Sequence, residues 1–173
     1  MINEQYEGMI ANIKEAFAQD PDLPVVALNS FLEENAFQAL VELCDGVWKK
    51  ECIPDQYSYA VKELPPFDAV RAFVQEVTGQ EPLSMPSRRF AHRDFTLLHD
   101  EVMPEPGVLA LFFLEDWNED WGGSLVFMKE GEMLGRVTPM KNTLLIVERK
   151  ENVQEFVQYI NHKAKGYVTM LAI

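Results

Sequence analysis

The chain has 173 residues, 47% of them apolar and 25% charged, the make-up of one globular domain with its own core. Fifteen Lys and Arg against 28 Asp and Glu leave a formal charge of −13, which argues against nucleic acid or an anionic membrane surface as a partner. The longest apolar run, Val108 to Leu114, is too short to cross a bilayer, and the first residues lack a basic start followed by an apolar stretch. Cys44 and Cys52 show neither a disulfide framework nor zinc spacing, so they read as two thiols of a reducing cytoplasm.

In chain order, Ile10, Ile13 and Phe17 recur at helical spacing between Asn3 and Ala18, and Pro21 and Pro24 end that helix. Pro24 to Leu28 reads as a short strand. Ser30 with Glu33 three residues on predicts a capping box for a helix carrying Phe37, Leu40 and Leu43. Gln56 to Val61 is expected as an edge strand. Val70, Phe73, Val74 and Val77 mark a helix that ends at Gly79. From Met85 onward short strands follow one another: Arg89–Phe90, Phe95–His99, Val108–Leu114, Ser124–Met128, Gly135–Pro139, Thr143–Val147, Gln154–Ile160 and Tyr167–Ile173. The expected architecture is a single domain over residues 1–173. It is mainly β with flanking helices, a helical support region (1–79) in front of a sandwich or jelly-roll core (80–173).

Three histidines occur: His92, His99 and His162. Strand alternation puts His99 and Glu101 on one face, two arms of a metal clamp. With a ligand from a distant strand this is the facial triad of non-haem iron(II) enzymes, although a strand-end His beside acids also arises on an ordinary solvated surface. His92-Arg93-Asp94 has no accompanying Gly-rich phosphate loop, so a kinase reading fails, and His92 falls in a loop if Asp94 opens the next strand. Arg88-Arg89 reads as a surface pair, Trp117 and Trp121 as packing beneath a turn, and Glu115-Asp116 with Glu119-Asp120 as a solvated acidic rim.

The succession Phe95-Thr-Leu-Leu-His-Asp-Glu, Leu109-Ala-Leu-Phe-Phe-Leu, Trp117-x-x-x-Trp-Gly-Gly-Ser-Leu and Pro139-Met-Lys-Asn-Thr-Leu resembles the 2-oxoglutarate- and iron(II)-dependent oxygenase superfamily, in its prolyl 4-hydroxylase-like branch. The resemblance runs from about Pro24 to Ile173 and implies a double-stranded β-helix core, with iron(II) and 2-oxoglutarate as cofactors. It implies His99 and Glu101 as metal ligands, with Glu101 one methylene longer than the family's Asp. Glu155 stands where a second His is usual, and His162 is the reserve. Lys165 falls near the place of the family's cosubstrate anchor, with Lys163 behind it. The implied activity is hydroxylation of a C–H bond in a protein, a peptide or a small molecule, and the acidic surface suits a basic protein or peptide. The alternative is a catalytically degenerate member of the fold that serves as a binding module. A cupin-type barrel shares the architecture but gives no reason for the Trp-Gly-Gly turn.

Overall fold

The structure, a computed structural model, describes residues 1–97 and 105–173. His99 and Glu101 lie outside the described residues. A 3-10 segment, Glu4–Met9, leads into α1 (Ile10–Phe17), and the Asn3 side chain caps it by accepting from the Gln5 amide at 3.3 Å. Then come α2 (Glu34–Leu43) and α3 (Asp68–Thr78), the latter closed by Gly79 at φ 75°, as its sequence predicts.

The capping box does not form. Ser30 sits in a left-handed turn at φ 52°, and Glu33, the residue ahead of α2, makes no side-chain cap. The turn is held from far along the chain instead. The Asn142 side chain accepts from the Leu32 amide at 2.9 Å and donates to the Leu32 carbonyl at 2.8 Å, satisfying both buried backbone groups.

Eleven strands follow from the described residues: β1 (Val25–Asn29), β2 (Lys49–Ile53), β3 (Tyr57–Lys62), β4 (Ser87–Ala91), β5 (Phe95–Thr96), β6 (Gly107–Phe113), β7 (Leu125–Lys129), β8 (Glu132–Val137), β9 (Thr143–Arg149), β10 (Val153–Val157) and β11 (Tyr167–Ala172). The larger sheet runs β1-β9-β6-β11-β4-β3-β2, with β5 also paired to β3, and the smaller runs β10-β7-β8. Every pairing between these strands is antiparallel. This is the expected mainly-β jelly roll with helices packed on one side.

The long apolar runs have a simple cause: the larger sheet is covered on both faces. From β6, Val108, Ala110 and Phe112 face the helices, whereas Leu109, Leu111 and Phe113 face the barrel interior. From β9, Leu144 and Ile146 go to the helix side, and Leu145 and Val147 to the barrel side. Each of these side chains other than Ala110 contributes about 1.5–3 kcal/mol on burial, so this central pair of strands ties the two clusters together.

One strand escapes the sequence reading, and one changes place. β2 is one edge of the larger sheet, with β1 at the other end, and β3, expected at an edge, lies between β2 and β4. The missed strand, Lys49-Lys50-Glu51-Cys52-Ile53, is largely exposed and charged, the composition by which edge strands avoid pairing with other chains. Both cysteines are free; Cys44 is buried, and burial pushes its thiol up to about 11, whereas Cys52 is exposed. Among the described residues no helix is long and apolar enough to cross a membrane.

Candidate barrel site

The site is built from strand ends that meet inside the barrel. On β10, Val153, Glu155 and Val157 share a face, and both valines are buried in the barrel-side cluster. Glu155 is thus aimed inward, where a position opposite Phe127 of β7 places it. On β9, Arg149 shares the face of Leu145 and Val147 and also points inward. The two meet across the β9–β10 turn: Arg149 Nη1 donates to Glu155 Oε1 at 2.7 Å. The side chains are only 6% and 16% exposed, so this is a desolvated, charge-assisted contact. Arg149 Nε also donates to the Glu105 carbonyl at 2.9 Å, and its Nη2 donates to the same oxygen.

Arg88 comes in from β4, on the face of Phe90, with its guanidinium carbon 5.0 Å from the centre of the Tyr59 ring. Arg88 and Glu155 line one small cavity of about 20 Å³. Arg88 Nε and Glu155 Oε2 are buried polar atoms without a hydrogen-bond partner among the described residues. A space of that size holds about one water molecule.

Arg88 and Arg89 are therefore not a surface pair. Arg89 points to the opposite face and is sandwiched between Trp48 and Tyr167, at 4.2 and 4.0 Å from the ring centres. Its Nε donates to Thr169 Oγ1 at 3.1 Å. Thr169 in turn donates to the Glu115 carboxylate through its amide at 2.7 Å and its hydroxyl at 2.9 Å. Burial pushes the Glu115 pKa up, and the Thr169 hydrogen bonds and the nearby Arg89 charge pull against that shift. Glu115 is thus part of the sheet's packing rather than of a solvated acidic rim.

The Trp-Gly-Gly turn is a clasp between the sheets. Trp117, 8% exposed, donates from its indole nitrogen to the Gly122 carbonyl at 2.8 Å and meets Trp121 edge to face at 5.1 Å. Gly122 has φ 77°, and a Cβ there would come within 2.0 Å of the Tyr159 carbonyl oxygen, so only glycine fits. Asp94 is buried ahead of β5, where it accepts from the Ala91 amide at 2.9 Å and the Ser58 hydroxyl at 2.6 Å and pairs with Lys50; His92 is left exposed in the turn.

His162, Lys163 and Lys165 lie on the exposed turn between β10 and β11. The Lys163 amide closes that turn onto Asn161 Oδ1 at 2.9 Å. Of the expected site residues, Glu155 is inside the barrel and Lys165 is on its surface. Arg149 is an interior group that sequence reasoning passed over, and Arg88 is one that it read as part of a surface pair. Strand parity was the available signal, since Arg149 continues the alternation of Leu145 and Val147.

Two sheets enclosing inward-pointing polar side chains, with helices behind the larger sheet, define a jelly-roll barrel. The solved structures say the same of the fold. A prolyl hydroxylase from Trichoplax adhaerens, in complex with a hypoxia inducible factor oxygen degradation domain peptide fragment, superposes with a TM-score of 0.71 at 12% identity, over 98% of this chain and 90% of that one. A Pseudomonas putida prolyl-4-hydroxylase gives a TM-score of 0.65 at 15% identity, over 94% and 96%. The family described as "Oxoglutarate and iron-dependent oxygenase degradation C-term" matches residues 3–170, and the chain belongs to it. Its curated relatives include the prolyl 3-hydroxylase OGFOD1 of Xenopus laevis, 35% identical over 85 residues, and that of Mus musculus, 32% identical over 100 residues. The matches cover 45% and 52% of this chain but only 16% and 18% of the relatives' length. The chain is a 2-oxoglutarate/iron(II) dioxygenase-like protein whose relatives are hydroxylases.

That family implies iron(II) and 2-oxoglutarate. Among the described residues no three His, Cys, Asp or Glu side chains gather as a metal site. Glu155 is the one expected metal ligand inside the barrel whose contacts are described, and it does not fit the role. One oxygen is held by Arg149, and the other faces a cavity that Arg88 also lines. Two guanidinium groups beside the Glu155 carboxylate oppose a dication there. Lys165, on the surface, offers no inward charge for the distal carboxylate of a cosubstrate.

Proposed function

We propose that this chain works in 2-oxoglutarate- and iron(II)-dependent protein hydroxylation, as a barrel that binds polypeptide rather than one that performs the oxidation itself. The observation that carries this reading is the Arg149 guanidinium seated on Glu155, the residue that the family resemblance expects as a third metal ligand. The relatives' names give prolyl side chains as the substrate class. A structural neighbour is bound to a peptide, which supports a polypeptide as the partner here. The charge of −13 favours a basic one. Two free cysteines and the absence, among the described residues, of a membrane-spanning helix suit a cytoplasmic setting.

The test is an anaerobic titration of the purified chain with iron(II) and 2-oxoglutarate, followed through the visible charge-transfer band of the chelate. The expected result is no saturable band, in the natural chain and in Glu155→Ala alike. A saturable band that Glu155→Ala or Lys165→Ala removes would refute the reading and make this barrel the hydroxylase, with His99, Glu101 and Glu155 as its ligands.

A further inference from the structure

Behind the larger sheet, on the side away from the barrel, α2 and α3 border a groove of about 340 Å³. Ala36, Ala39, Leu40 and Leu43 of α2 line it, at the i, i+3, i+4, i+7 spacing of one helix face. Leu40 is buried together with Phe37, but Ala39 is exposed and Leu43 is 43% exposed. A surface helix ordinarily carries polar residues where α2 carries these, so the fold alone does not account for the stripe. Phe112 of β6 forms the floor and Ala69 of α3 part of the far wall. Low alanine walls over a phenylalanine floor leave room for large side chains from outside and let a second helix approach closely.

The charge around the groove selects the occupant. Asp68 is the one charged side chain in its lining, and Met1, also in the lining, pairs its ammonium with Glu33 at 3.8 Å. The rest of α2 adds Glu34 and Glu42 with Glu33 just ahead, and α2 contains no Lys or Arg. Lys62, near the C-terminal end of α2, is engaged by the carbonyls of Leu43 at 3.1 Å and Asp45 at 2.6 Å. A second copy of the chain would bring another −13 to this acidic surface, so self-association is disfavoured.

We propose that the α2–α3 groove is a docking site for an amphipathic helix of a partner polypeptide, with large apolar anchors on one face and basic residues along its flanks. The proposal deepens the binding role argued above. It stands on a different face of the sheet, so the metal titration and the groove experiment can fail separately.

The probe is a synthetic helix of about 14 residues with Leu at i, i+3, i+4 and i+7 and Lys elsewhere, beside a counterpart with Glu in place of Lys. Binding to the whole chain is followed by calorimetry and by amide chemical shifts. The Leu/Lys peptide is expected to bind, with shifts concentrated in α2, α3 and the Phe112 region. The Leu/Glu peptide should bind at least about tenfold more weakly. Ala39→Phe fills the groove without changing charge and should weaken the Leu/Lys peptide about tenfold or more, a cost near 1.4 kcal/mol. Leu43→Lys, at an exposed position, should do the same and covers the case in which Ala39→Phe disturbs the fold. Equal affinity in both variants, shifts scattered over the acidic surface, no binding, or a dimer that Ala39→Phe dissolves would each overturn the proposal.

Discussion

Replacing Arg149 by methionine keeps most of the side chain's volume and removes its charge from the barrel. The Arg149 side chain is 6% exposed and that of Glu155 16%, so the exchange strands a carboxylate in a desolvated place. Breaking a buried pair from one side costs about 3–5 kcal/mol, because the surviving charge has no compensation. Arg149 also supplies two N–H donors to the Glu105 carbonyl, and their loss acts in the same direction. Against a typical total of about 5–15 kcal/mol, that is a large share of the fold's stability. For a domain of this size it corresponds to a fall in Tm of roughly 6–20 °C. The double variant Arg149→Met with Glu155→Met should recover most of the loss, since an apolar pair of similar volume is often neutral or better. Urea unfolding of the four proteins in the cycle gives the coupling directly, provided the m-values agree. Additive losses, or a loss under about 1 kcal/mol in Arg149→Met, would show that the pair is not what closes the barrel.

Two further perturbations test the packing around that site. Gly122→Ala places a methyl group against the Tyr159 carbonyl at a positive φ and should cost roughly 2–4 kcal/mol, read as a lower urea midpoint; a change within about 0.5 kcal/mol would mean that the clasp is soft. Glu115 has its pKa raised in the fold by burial, so its neutral form is the better tolerated one. Its contribution to stability is therefore full below its unfolded value and is lost as pH rises through the raised folded value. Glu115→Gln removes that dependence, so natural chain and variant should diverge in Tm with rising pH over this window, the variant gaining; parallel Tm profiles would contradict the assignment.

Much of the fold was legible because its signals are local or strictly periodic. The unbroken apolar runs of β6 and β9 announce strands covered on both faces, and the structure gives them helices on one side and the barrel on the other. The Trp117–Gly123 stretch foretold a specific turn, and the 2.0 Å approach of Tyr159 to a Cβ at Gly122 is its physical cause. What could not be read depended on partners far away in the chain. The turn after β1 has the letters of a capping box, but Asn142, 110 residues beyond Leu32, supplies the hydrogen bonds that the box would have made. β2 carries too much charge to declare itself, since an edge strand is selected for what it repels.

The barrel interior shows where that limit falls for function. Parity within β10 places Glu155 inside, and parity within β9 places Arg149 inside. The sequence therefore holds both halves of the pair. Their meeting depends on the β9–β10 turn, which brings residues six apart onto one side of the barrel and makes each the cheapest neutralising group for the other. A carboxylate where the family resemblance expects a metal ligand is ambiguous on its own, because iron and a guanidinium both satisfy it. With the guanidinium already in contact, and Arg88 lining the same cavity, a cation arriving there must displace Arg149 and leave it buried without its partner. Among the described residues the interior thus favours keeping the Arg149–Glu155 pair over admitting a metal at Glu155, and the binding role proposed above rests on that preference.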